Sequence, residues 1–116
     1  MADLDELVAP KMVRDGVKVL DPEKNEIVDV SSDQRLCLSL LTQKLFEESL
    51  EFKESLDLDK LRGDPMELVD ILTVCMALAD AIGYSREDIE KLYQEKLAKK
   101  GGFDGRRVLR ARAQKQ

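Results

Sequence analysis

The stretch from Pro65 to Ile82, "PMELVDILTVCMALADAI", spreads Leu68, Val69, Ile71, Leu72, Cys75, Met76 and Leu78 around nearly every side of a helix. Asp64 can cap it, Pro65 suits its first position, and Gly83 follows its end. A helix that is apolar nearly all round needs cover on more than one side, so this one belongs at the centre of its fold. Yet its leading turn carries Glu67 and Asp70. Positions 67, 70, 74, 77 and 81 form one stripe, which places both carboxylates in a buried or half-buried layer.

A second acidic pair precedes it. From Gln34 to about Asp57, Leu38, Leu41, Leu45 and Phe52 recur at helical spacing, and Glu48 occupies the slot between Leu45 and Phe52 on that core-facing stripe. Glu51 flanks it one turn on. Side chains three apart on a helix have Cβ atoms about 5–6 Å apart, near enough to share a cation. The short connection "DLDKLRGD" predicts antiparallel packing of the two helices, which lets the two acid pairs face each other. Four like charges in a low-dielectric layer need protons, cationic partners or a divalent metal to persist. For an all-oxygen donor set the natural ions are Mg²⁺ and Mn²⁺. Taken singly, an E-x-x-E is more often a solvated helix face, and Glu47, Lys53 and Glu54 are ordinary surface charge on the same helix.

The rest of the chain reads as a single all-α domain over 1–116. Residues 1–32 are irregular, with two alternating runs, Val17 to Leu20 and Glu26 to Val30, around the turn-rich "DPEKN", a pattern that predicts a small β-hairpin. Residues 33–100 hold three helices, the third opening at a Ser85/Asp88 capping box and stopping at Gly101-Gly102. Residues 101–116 form a loop and a basic tail. Lys44 lies one turn before Glu48, and Lys96 shares a stripe with Ile89, Leu92 and Tyr93, so both are placed to face the acids. The simpler account has Lys44 pairing with Glu47 or Glu48 and Lys96 extending to solvent.

Composition narrows the chemistry. The chain has no histidine, which removes Ser/His and Cys/His nucleophilic schemes and His-based metal sites and leaves carboxylates, lysines and arginines. Its net charge of −5 argues against a general nucleic-acid surface. Cys37 and Cys75 lie in apolar runs and form no C-x-x-C, so they read as buried small side chains of a cytoplasmic protein. No run is long enough to span a bilayer, so no membrane partner is expected. At 116 residues, one copy is short for a deep catalytic cleft, and oligomerisation is expected.

"EESLE" (Glu47, Glu48, Glu51) and, beyond residues 52–66, "ELVD" (Glu67, Asp70) resemble the E-E-x-x-E…E-x-x-D signature of the MazG-like all-α nucleoside triphosphate pyrophosphohydrolases. "KMVRD" (Lys11 to Asp15) looks like the opening of one MazG-related branch, and "EKLAKKGGF" with "DGRRVL" like that branch's ending. These fragments span residues 11 to 109 in order. Gly16 departs from that branch, which typically has Lys-Ile-Pro after the opening motif. The phosphoribosyl-ATP pyrophosphohydrolases share the acids but are less similar at the ending.

The resemblance implies a MazG-like helical bundle completed as a homodimer or homotetramer. It also implies Mg²⁺-dependent cleavage of an NTP or related nucleotide between the α and β phosphates, giving a monophosphate and pyrophosphate. It implies Glu48, Glu51, Glu67 and Asp70 as metal ligands, and Glu47 as a further ligand or general base. Lys99, Lys100 and Arg14 join Lys44 and Lys96 as substrate-binding candidates on the same ground. The alternative is a helical dimerisation or regulatory module that keeps the fold without turnover. Phe46, Phe52, Tyr84, Tyr93 and Phe103 are all candidates to stack on a base or fill the core.

Overall fold

Three short polar side chains set where the helices begin. The Asp33 carboxylate accepts from the Leu36 N–H and opens α1 (Gln34–Ser55). Asp64 accepts from Met66 N–H, with Pro65 at the first turn, and opens α2 (Pro65–Ala81). Ser85 and Asp88 exchange side-chain and backbone bonds in a complete capping box that opens α3 (Arg86–Lys100). These elements come from a computed structural model that describes residues 7–113. The chain is mainly helical, as the apolar spacing predicts. Residues 1–6 and 114–116, the outer ends of the expected domain and of its basic tail, lie outside the described residues.

The helix ends follow equally local rules. α1 stops at Ser55, two residues before the expected Asp57, because Leu56 turns extended and Asp57 and Arg62 exchange backbone bonds of 2.8 and 3.1 Å that close the connecting loop. At the end of α2 the Gly83 N–H donates to Asp80 O and the Tyr84 N–H to Ala79 O. This double closure needs a left-handed residue, which Gly83 supplies at φ +94°. The Ser55 hydroxyl accepts from the Asp64 N–H at 3.2 Å, tying the end of α1 to the start of α2. α1 and α2 therefore run antiparallel and form the main packed pair, while α3 touches α2 alone, and lightly. α2 is the central helix in this sense.

Two expectations fail. The described residues contain no strand, and the hairpin predicted over Val17–Val30 is absent. The backbone bonds there are local turns, such as Val17 N–H to Arg14 O and Asn25 N–H to Asp21 O. Runs of four or five residues are marginal as an isolated pair, and although Val19, Val28 and Val30 are half-buried, Val17, Leu20 and Ile27 stay exposed. Nor are both cysteines buried. Cys37 is half-buried, its thiol donating to Val30 O at 3.0 Å, and Cys75 is exposed; both are free.

Among the described apolar residues only Leu40, Val74 and Ala79 are buried. Phe46 on α1 is 74% exposed and Leu72 on α2 is 63% exposed, and Leu50, Val69, Ile82, Leu92 and Tyr93 are also open. The radius of gyration is 19.3 Å, against about 13 Å for a compact domain of this size. None of the described helices is long and apolar enough to cross a membrane.

Candidate metal centre

The stripe through Leu38, Leu41, Leu45, Glu48 and Phe52 is buried or half-buried along its whole length, because it is the face α1 turns to α2. Glu48 sits within it at 5% exposure, the one buried charged residue among those described. Opposite, Glu67 and Asp70 are half-buried on the α2 stripe that continues to the buried Val74. Antiparallel packing brings the two stripes together, and one carboxylate oxygen from each of Glu48, Glu67 and Asp70 lies within 4.8 Å of the others. Glu51 is exposed and outside this set, although its charge reaches Glu67.

Cations surround the acids. The Lys44 ammonium, itself largely covered, lies 2.9 Å from Glu48 Oε1 and 4.0 Å from Glu47 Oε2. Lys11 Nζ approaches the same Glu47 oxygen at 3.9 Å. The Arg14 guanidinium donates to Asp70 Oδ1 and, at 3.3 Å, to the Thr73 hydroxyl. Glu67 has no cationic partner among the described residues. Its pKa is pushed up, first by loss of hydration and then by the charges of Glu51, Asp70, Glu48 and Asp64. Five carboxylates, Glu47, Glu48, Glu51, Glu67 and Asp70, thus face three cations, an excess of two negative charges.

The remaining candidates lie elsewhere. Lys96, Lys99 and Lys100 are exposed on α3 and make no ion pair among the described residues. α3 touches α2 but not α1, and Lys96 makes no ion pair with the acids among the described residues. Lys11 and Thr73 escaped the sequence reading. Their signals were present: Lys11 stands three before Arg14 in "KMVRD", and Thr73 three after Asp70. Two shallow depressions of about 340 and 380 Å³ lie away from the acids, along Gly102–Leu109 and beside Phe52, Leu56 and Leu61.

Chemically, the cluster offers hard oxygen donors. Glu48 Oε2 and Glu67 Oε2 are shielded from solvent and have no hydrogen-bond partner. Orphaned buried carboxylate oxygens carry a desolvation cost that a cation would offset. The donor set therefore fits Mg²⁺ or Mn²⁺. Comparisons of the chain with models of protein families, with curated proteins and with solved structures gave no match.

Proposed function

We propose that this chain is a Mg²⁺-dependent nucleoside triphosphate pyrophosphohydrolase of the MazG-like kind, acting on a (d)NTP or related nucleotide to yield the monophosphate and pyrophosphate. The observation that carries the reading is Glu48: a carboxylate at 5% exposure, with one oxygen unpartnered, facing two further carboxylates across a helix pair. Structural ion pairing alone accounts for one of its oxygens and leaves the other without a role.

In this reading Glu48, Glu67 and Asp70 hold the ion, and Glu51 joins from the edge. Mg²⁺ bound there would neutralise polyphosphate charge and acidify a water. Lys44 orients Glu48 from its 2.9 Å contact. Glu47, half-buried beside Glu48, is the general-base candidate, its Oε2 free of hydrogen bonds. Lys11 and Arg14, already at Glu47 and Asp70, would be available to a bound polyphosphate, and Lys96, Lys99 and Lys100 would be supplied by α3 of another copy. Self-association as a homodimer or homotetramer belongs to the proposal, since Phe46, Leu50, Val69 and Leu72 leave apolar surface open on the α1/α2 pair. The two free cysteines suit a cytoplasmic setting.

The test is direct. With Mg²⁺, at least one member of a broad panel of natural and modified (d)NTPs should release pyrophosphate, and Glu48→Gln or Asp70→Asn should abolish it while the helical circular dichroism is unchanged. No pyrophosphate from the panel, with folded protein, would sink the proposal.

A second reading has its own support. Lys44 and Arg14 already pair with Glu48 and Asp70, as expected of a helical dimerisation or regulatory module whose acids are partly balanced from within. Calorimetry separates the two: no Mg²⁺ or nucleotide binding, with no loss of stability when all four acids become amides, supports the inert module.

A further inference from the structure

The segment before α1 lies across the acid cluster by way of its basic side chains. Lys11 reaches Glu47 on α1, and Arg14 reaches Asp70 and Thr73 on α2. Its other attachments are modest: Met12, Val19, Val28 and Val30 are half-buried and Val30 O accepts from the Cys37 thiol, while Val13, Val17 and Ile27 are exposed and its backbone bonds are local turns. Arg14 is itself half exposed, so its guanidinium can swing into water without breaking a packed core.

We propose that Arg14 is an internal counter-ion occupying the cation position of the acid cluster, so that seating of the Lys11–Arg14 segment and uptake of a divalent ion exclude each other. The inference rests on the reading of Glu48, Glu67 and Asp70 as a divalent-cation site. A divalent ion held by Asp70 would lie about 2.1 Å from its oxygen, hard against a guanidinium bonded to the same carboxylate. Two cations at that range repel, and the one on a flexible, half-exposed side chain leaves. Arg14 thereby guards the metal-free cluster against its own repulsion. Because the two events are linked, each must weaken the other by the same factor.

Titration with Mn²⁺, followed by calorimetry and by electron paramagnetic resonance, reads one side of this exchange. Arg14→Gln should bind Mn²⁺ about five-fold more tightly than wild type, the scale of a partly exposed ion pair. Arg14→Lys should fall back toward wild type, and Lys18→Gln, a charge loss in the same segment with no acid partner among the described residues, should leave affinity unchanged. Limited trypsin digestion of the wild-type chain reads the other side: Mn²⁺ should speed cleavage after Arg14, identified by mass spectrometry. Equal or weaker Mn²⁺ binding by Arg14→Gln, an equal gain in Lys18→Gln, or an unchanged cleavage rate overturns the exchange while the metal site stands. No Mn²⁺ binding by either wild type or Arg14→Gln overturns the site and the exchange together.

Discussion

Glu67 differs from its neighbours in the cluster: Lys44 faces Glu48 and Arg14 faces Asp70, but Glu67 has no cationic partner among the described residues and feels the charges of other acids. Lost hydration and like charges raise its pKa in the folded chain above its unfolded value. The resulting cost to stability is fully present at pH above the folded value and is relieved as pH falls through it. In metal-free protein, Glu67→Gln should therefore be more stable than wild type at neutral pH. That advantage should shrink as pH falls into the range just above the ordinary glutamate value and vanish below it. Urea denaturation at a series of pH values checks this, and a pH-independent difference would point to packing instead. At this scale the sequence was informative about Glu48, Glu67 and Asp70, because spacing by three and four exposes any charge set in an apolar stripe. It could not show that Lys11 and Arg14 reach them, since the course of an irregular segment follows no period.

Among the elements, α3 is the least secured. It is capped by Ser85 and Asp88 but carries no buried residue and rests lightly on α2 alone. Its start therefore depends on the cap more than on packing. Ser85→Ala should cost about 1 kcal/mol, and because so little tertiary contact opposes it, the loss should appear as faster amide exchange across residues 86–100 with α1 and α2 protected as before. Equal loss of protection in all three helices would show that α3 is cooperatively tied to the pair. The three helices were readable because their caps and stops are contacts within a few residues. The hairpin failed because alternation in Val17–Leu20 and Glu26–Val30 states only that a strand is allowed; Val19, Val28 and Val30 are half-buried without any backbone pairing between the two runs.

Taken whole, the chain leaves much of its apolar surface open. α2 was expected to be central from its all-round hydrophobicity, and it is, yet Leu68, Leu72 and Cys75 on its outer side remain uncovered. Hydrophobic spacing states that a face must be buried and is silent on what buries it, which is why the sequence could not distinguish an internal core from a contact between copies. If a second copy covers this face, Leu72→Glu should convert the assembly to monomer in sedimentation, with a lower melting temperature that becomes independent of protein concentration. A wild-type chain that sediments as a monomer at all concentrations would remove self-association from the proposed function.

The turn between α1 and α2, closed by the Asp57 and Arg62 backbone bonds, also bears on how the chain folds. It makes the meeting of Glu48 with Glu67 and Asp70 an event between near neighbours in sequence, which a zippering helix pair completes early. If the carboxylates meet before the transition state, their repulsion raises the folding barrier as well as destabilising the final state. Dissolved salt and divalent ions become, on this view, folding accelerants for the helix pair.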